Sequence, residues 1–125
     1  MVPLPAALLA ALRDRDEVLV TSRAGIRMGT VPMSFALAPP GVVYLLTSAF
    51  SLKARRWESD PWLRLTVPGT EVSAEASVRR TAASEIDSGA EAAILERFAT
   101  AGAATPEALR ELLDTGAQLL FRVEG

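Results

Sequence analysis

A short stretch in the middle of the chain gathers side chains that suit the binding of an anion. Residues 46–56 read LTSAFSLKARR, so three hydroxyl groups stand just ahead of a basic segment, whose first two cations are considered as ligands. These five residues are Thr47, Ser48, Ser51, Lys53 and Arg55. Hydroxyls donate hydrogen bonds to phosphate oxygens, and lysine and arginine neutralise phosphate charge. The stretch suggests a phosphate site, although taken alone it is better explained by a capped helix with a solvated basic face.

The pattern around this stretch predicts a strand that leads into a helix. Residues 42–48 (VVYLLTS) are typical of a buried strand. Ser51 is a good N-cap for a helix that Asp60-Pro61 would end. The first N–H groups of a helix lack partners and together carry about half a positive charge. A phosphate bound there would accept hydrogen bonds from the backbone as well as from the side chains.

The composition excludes several other kinds of site. The chain has 125 residues, a net charge of −2, no cysteine and no histidine. A Ser-His-Asp triad, a thiolate or imidazole metal site and histidine-ligated heme are therefore ruled out. We nominate no catalytic side chain and no metal ligand. The nearly balanced charge does not favour nucleic acid as a partner.

The N-terminal segment was considered as a possible targeting signal. Residues 1–12 are mostly apolar, but no basic residue precedes them and two prolines interrupt them. A secretory signal needs a basic start, and a membrane span needs about 18 apolar residues. We therefore expect a cytoplasmic protein without a membrane partner, with one domain over residues 1–125.

The rest of the sequence predicts the sheet that must position the site. Alternating and β-branched segments predict six strands, over residues 17–23, 26–38, 42–48, 61–67, 71–79 and 117–124. Further helices are expected after Pro5, from Ser88 with Glu91 in a capping-box spacing, and from Thr105. The hairpin-rich order predicts an α+β protein built on a small six-stranded antiparallel barrel.

The long second strand has two different faces. Its apolar row, expected to pack inside the barrel, consists of Val31, Met33, Phe35 and Leu37. The opposite row carries the small or polar residues Thr30, Pro32 and Ser34. Because proline cannot donate a ladder hydrogen bond, the strand is expected at a sheet edge or with a bulge.

A succession of short pieces between residues 18 and 67 has the order and spacing of a known family. The pieces are Val18-Leu19-Val20-Thr21, Gly25, Thr30-Val31-Pro32-Met33-Ser34-Phe35, Tyr44-Leu45-Leu46-Thr47-Ser48, Ser51-Leu52-Lys53-Ala54-Arg55 and Asp60-Pro61. This succession resembles the pyridoxamine-phosphate-oxidase-like split β-barrel family. The resemblance implies a split β-barrel that forms a homodimer, with two flavin or deazaflavin cofactors at the dimer interface.

The resemblance also implies where the cofactor lies. The phosphate is expected near Thr47, Ser48, Ser51 and Lys53, with Arg55 as a further cation. The isoalloxazine ring is expected along residues 30–34, where Thr30, Pro32 and Ser34 face it. With the resemblance, the phosphate site becomes the favoured interpretation of residues 46–56.

The function that the resemblance implies is a flavin-dependent oxidoreductase that moves a hydride to or from a small substrate. FMN is the expected cofactor, and a deazaflavin is the alternative because Lys53, Arg55 and Arg56 could serve its longer acidic tail. A flavin-binding module without turnover and a cofactor-free interaction protein remain open. Pyridoxamine phosphate oxidation is not expected, because residues 121–125 lack the family's basic C-terminal substrate motif. Leu52 stands where the family often has a basic residue, which predicts weaker phosphate binding.

Overall fold

The chain folds as a mixed α+β structure, as expected, over residues 2–125, the part that this computed structural model describes. The strands are β1 (Glu17–Ala24), β2 (Arg27–Ser34), β3 (Ala36–Ala38), β4 (Val42–Ser48), β5 (Trp62–Thr66), β6 (Ser73–Arg80) and β7 (Gln118–Glu124). The helices are α1 (Ala6–Leu12), α2 (Leu52–Ser59), α3 (Ser88–Phe98) and α4 (Pro106–Asp114). Two 3₁₀ turns, Ala83–Glu85 and Ala99–Ala101, precede and follow α3.

All seven strands belong to one curled antiparallel sheet with the order β2-β1-β5-β6-β7-β4-β3. The two edge strands, β2 and β3, are consecutive in the chain. Only one residue separates these two edge strands in the chain, so the two edges of the sheet lie close together. The sheet therefore curls into a half-barrel. Pro32 lies on the edge strand β2, opposite Leu19, as the missing N–H requires.

The prediction of six strands was wrong, because the expected strand over residues 26–38 is two strands. Its first part pairs with β1, from Ala24↔Arg27 to Glu17↔Ser34, and its second part pairs with β4, beginning at Ala36↔Tyr44. Phe35 lies at the break with its side chain fully buried. The alternation of apolar residues continues through Phe35 and so gives no sign that the pairing partner changes.

The sheet carries a hydrophobic core on each face. On one face, leucines of α1 and Trp57 of α2 pack among alternate residues of the strands. Trp57 meets Phe121 edge to face, with the ring centroids 4.9 Å apart. On the other face, α3 and α4 cover β3, β4 and β7, and Ile94 and Leu109 are buried. These two layers fix α2 and the end of α3 on either side of the β2–β3 junction.

Most of the predicted helix N-caps are confirmed. Ser51 accepts a hydrogen bond from the Ala54 N–H at 3.2 Å, and Thr105 caps α4 in the same way. The expected cap Ser88 is wrong, because Asp87 caps α3 with a 2.7 Å bond from the Ala90 N–H. The carboxylate of Asp87 makes a charge-assisted hydrogen bond, which is stronger than the bond that the hydroxyl of Ser88 would make. Ser88 is therefore the first residue of the helix.

One side chain of the expected apolar row of the second strand lies outside the core. Met33 and Phe35 are buried, but Val31 is 43% exposed, because no side chain covers the open end of β2. No helix within residues 2–125 is long and apolar enough to cross a membrane.

Candidate functional site

A groove runs between edge strand β2 and helix α2, with Lys53 in its middle. On one side of Lys53 lies a narrow cleft of about 120 Å³, lined by Ser22, Gly29, Val31, Leu52, Lys53 and Arg56. On the other side lies a wide cleft of about 300 Å³, lined by Met33, Ser34, Leu46, Thr47, Lys53, Arg97, Phe98, Thr100, Ala101 and Gln118. We call the two clefts together the Lys53 groove. No aspartate or glutamate lines either cleft.

The end of β4 brings the Thr47 hydroxyl to the groove, and the cap of α2 holds the Ser51 hydroxyl next to it. Thr47 is the penultimate residue of β4, and its hydroxyl donates to Ser51 Oγ at 3.3 Å. Ser51 Oγ also accepts from Ala54 N–H, so its own hydroxyl hydrogen is free for a ligand. Ser48 accepts from Phe50 N–H at 3.2 Å and so holds the short turn between β4 and α2.

Lys53 is the only lysine of the chain, and its charge has no acidic partner among the described residues. It lies in the first turn of α2, half-buried between the two clefts. Burial lowers the pKa of its ammonium group below the ordinary 10.5, and no neighbouring carboxylate offsets this. An ammonium group held in this way is stabilised by any anion that enters the groove.

The sequence offers Arg56 only as a partner for the acidic tail of a deazaflavin, but the structure places this second cation in the groove. Its Nη1 donates to the carbonyl oxygen and the hydroxyl of Ser22, at 3.4 and 3.2 Å, and its buried Nε has no partner among residues 2–125. Arg55 is exposed and lines neither cleft. Helical spacing could have distinguished the two arginines, since residues three apart share a helix face and residues two apart do not.

Of the three residues in the polar row of β2, only one lines the groove. Ser34 lines the wide cleft. Thr30 and Pro32 lie on the sheet face opposite Val31 and line neither cleft, and the Thr30 hydroxyl is 2.8 Å from that of Thr21. The structure therefore places Ser34, Thr47 and Lys53 in the groove, and Ser51 is hydrogen-bonded to Thr47 without lining either cleft. Thr30, Pro32, Ser48 and Arg55 also line neither cleft.

Exposed apolar side chains lie on β2, in the turn before it and at the start of α2. This apolar rim consists of Ile26, Met28, Val31, Phe50 and Leu52, whose exposures are 100%, 57%, 43%, 77% and 64%. Val31 and Leu52 line the narrow cleft itself, and Phe50 lies in the turn before α2. Apolar surface gathered beside a polar groove is typical of a binding surface.

The end of α3 closes the wide cleft. Arg97, Phe98 and Thr100 form this wall, although the resemblance in sequence does not extend to this helix. Arg97 Nη1 donates to Asp16 at 2.9 Å, and its guanidinium lies 5.8 Å from the ring of Phe35. Sequence alone could not place Arg97 here, because its position depends on the packing of α3 against β3.

Comparison with known proteins gives matches of structure only. No family model matches the sequence, and no curated protein matches it. A Listeria innocua protein provisionally named pyridoxamine 5′-phosphate oxidase matches with a TM-score of 0.62 and 15% identity, covering 94% of this chain and 89% of its own.

Two further solved structures have the same fold. The heme storage protein HutZ of Vibrio cholerae matches with a TM-score of 0.61 and 16% identity, covering 98% of this chain and 90% of its own. An FAD-binding protein of Mesorhizobium loti matches at 0.58 and 11% identity, covering 96% and 88%. The chain therefore has the split-barrel fold of pyridoxamine 5′-phosphate oxidase-like proteins, a fold that includes both flavin-binding and heme-binding members.

Proposed function

We propose that this protein binds FMN in the Lys53 groove and, as a homodimer, acts as a flavin-dependent oxidoreductase on a small substrate. One observation carries the proposal: the only lysine of the chain is half-buried without an acidic partner, in a groove that no carboxylate lines. A phosphate supplies the missing negative charge, and the fold is one in which flavin binding occurs.

The phosphate belongs in the narrow cleft, between Lys53 and Arg56. That cleft has the two cations, and its volume of about 120 Å³ is large enough for one phosphate group. Lys53 and Arg56 both line this cleft, and the guanidinium of Arg56 has donors besides the Nη1 that is bonded to Ser22, so a phosphate oxygen can accept from both side chains. The first turn of α2 adds its partial positive charge.

The isoalloxazine ring then lies toward the wide cleft. Met33 and Leu46 give this cleft an apolar surface, while Ser34, Thr47 and Gln118 can hydrogen-bond to the polar edge of the ring. The residues present therefore fit a flavin nucleotide. Lys53 suits its charged phosphate end, and the mixed polar and apolar surface of the wide cleft suits its ring.

The flavin supplies the hydride chemistry when it is bound. The chain contributes binding and orientation: Lys53 and Arg56 anchor the charged end, and the side chains of the wide cleft orient the other end. Hydride transfer by a flavin requires no acid or base from the protein, and this agrees with the lack of histidine and cysteine in the chain.

A flavin fits this groove better than heme does, although some proteins with this fold bind heme. Heme iron is ligated in proteins by histidine, cysteine, methionine or tyrosine. The chain has no histidine or cysteine, and its only tyrosine, Tyr44, is 3% exposed in the core beneath α3. Met33 is the one side chain of these types that lines the groove, and it is 8% exposed.

A deazaflavin with an acidic tail is the second candidate cofactor. One observation favours it: a third cation, Arg97, lines the same groove beyond Lys53. FMN has a single acidic group, so the narrow cleft would satisfy it without Arg97.

The homodimer is supported by the apolar rim. A second copy that packs on Val31, Phe50 and Leu52 would bury these side chains and cover the narrow cleft. Closing the cleft in this way would exclude water from the phosphate contacts, which strengthens them. The cytoplasmic location and the single domain remain predictions.

The test is the absorption spectrum of the purified protein, followed by mass spectrometry of the released ligand. Flavin bands and a mass of FMN would support the proposal, whereas a heme spectrum or a colourless protein that takes up neither FMN nor a deazaflavin would overturn it. Anaerobic reduction of the loaded protein by NADPH, then reoxidation by candidate acceptors, separates an enzyme from a module that binds without turnover.

A further inference from the structure

Arg97 stands between the Lys53 groove and a second cleft. Its side chain lines the wide cleft and also a neighbouring cleft between the end of α1, β3 and α3. The neighbouring cleft contains its partner Asp16, whereas the wide cleft contains no acidic residue. An acidic group that a ligand brings into the wide cleft would therefore compete with Asp16 for the guanidinium of Arg97.

The existing ion pair makes that exchange easy. Only Nη1 of Arg97 is bound to Asp16, at 2.9 Å, which leaves Nε and Nη2 available. Asp16 is 86% exposed, and ion pairs between exposed side chains contribute little to stability. The guanidinium also lies 5.8 Å from the centroid of the Phe35 ring, and Phe35 and Asp16 both line the neighbouring cleft, so Arg97 has to turn from that side to meet a ligand in the wide cleft.

We propose that Arg97 binds a carboxylate group of the substrate at the far end of the wide cleft. The planar fork of an arginine suits a carboxylate, which accepts two parallel hydrogen bonds. Thr100, on the same wall, offers a further donor to the substrate. This assignment rests on the proposed flavin site, because it places the carboxylate beyond the ring and away from the phosphate at Lys53 and Arg56. The substrate class is therefore a small organic acid.

The test uses benzoate as the carboxylate probe and benzamide as its uncharged counterpart, with FMN-loaded protein. We expect benzoate to change the flavin absorption spectrum, and Arg97→Gln to weaken its binding about tenfold or more. Benzamide binding should not depend on Arg97. Arg110→Gln, at an exposed arginine of α4, is the matched control and should bind benzoate as the wild type does.

Asp16→Asn tests the exchange of partners. Removing the competing carboxylate should strengthen benzoate binding several-fold, while Asp14→Asn, at an exposed position two residues away, should not. Equal benzoate affinity in the wild type and Arg97→Gln would overturn the proposal. So would a loss of FMN affinity in Arg97→Gln as large as in Lys53→Met, because Arg97 would then serve the cofactor's acidic group instead.

Failure of the flavin site can be told apart from failure of the Arg97 site. If no flavin binds, the proposed function is wrong, and benzoate is titrated into the cofactor-free protein while backbone amide signals are followed by NMR. Shifts at Arg97, Thr100 and Gln118 that Arg97→Gln removes would still support an acid-binding site there. The absence of such shifts would overturn it.

Discussion

Gly29 of β2 and Arg56 of α2 face each other across the narrow cleft: a Cβ atom at position 29 would lie 3.0 Å from Arg56 Nη1. Glycine thus leaves the room that the guanidinium occupies while it donates to Ser22. An edge strand gains about 0.5–1 kcal/mol when an interior glycine becomes alanine, so the glycine is retained here at some loss of stability. Because of this close approach, the residue at position 29 of β2 determines where the guanidinium of Arg56, a proposed phosphate ligand, can lie.

Gly29→Ala should therefore displace Arg56 and weaken FMN binding without unfolding the protein. We expect FMN affinity to fall roughly tenfold, as for one charge-assisted hydrogen bond, while the free energy of unfolding changes by less than about 1 kcal/mol. Fluorescence titration and urea denaturation measure the two quantities. Gly89→Ala is the control, because its nearest neighbour would be 3.5 Å away and remote from the groove. Unchanged FMN affinity in Gly29→Ala would remove Arg56 from the phosphate site.

The lowered pKa of Lys53 predicts how ligand binding depends on pH. A bound phosphate favours the charged ammonium, so FMN affinity should be full below the lowered pKa and should fall as pH rises through it, before the ordinary 10.5 is reached. Titrations between about pH 8 and pH 10.5 measure the change. Lys53→Arg keeps its charge over this range, so its affinity should vary less with pH. An identical pH profile for the two proteins would contradict the prediction.

The pKa of Lys53 can be measured directly, because it is the only lysine of the chain. Reductive methylation with ¹³C-formaldehyde would give one side-chain signal, besides that of the N-terminal amine, to follow by NMR. The midpoint should lie below 10.5 in the free protein and rise when FMN is added. A midpoint at or above 10.5 without ligand would show that the ammonium is not desolvated.

Lys53→Met should leave the cofactor-free protein as stable as the wild type, or more stable. The half-buried ammonium has no acidic partner among residues 2–125, so its burial opposes folding. That unfavourable contribution is fully present below the lowered pKa and disappears as pH rises toward 10.5, so the difference from Lys53→Met should narrow at high pH. Urea denaturation at two pH values measures it, with the exposed Arg55→Met as control. A clear loss of stability in Lys53→Met would indicate a structural role for the lysine.

The apolar rim should hold two copies together. We expect the wild type to be a dimer by light scattering, and the double variant Phe50→Glu with Leu52→Glu to be a folded monomer. Both side chains are more than 60% exposed, so the substitutions should leave the core intact. Val2→Glu, at a position equally exposed beside Gly125, should remain dimeric. A monomeric wild type would contradict the proposed dimer.

The sequence predicted the local features of the site better than the tertiary ones. The cap at Ser51 and the edge position of Pro32 follow from one hydroxyl and one missing N–H, and both are confirmed. The break at Phe35 was missed because it depends on the change of partner from β1 to β4, which leaves the alternation of side chains unchanged. Arg97 was missed for the same kind of reason, since only the packing of α3 on β3 brings it to the groove.

The central claim is that Lys53 holds the phosphate of a flavin nucleotide. Its most direct test is a comparison of FMN with riboflavin, which lacks the phosphate, on the wild type and on Lys53→Met. The account predicts that the wild type binds FMN at least about tenfold more tightly than riboflavin, and that Lys53→Met removes most of this preference. Equal affinity of the wild type for the two flavins, or no binding of either, would contradict it.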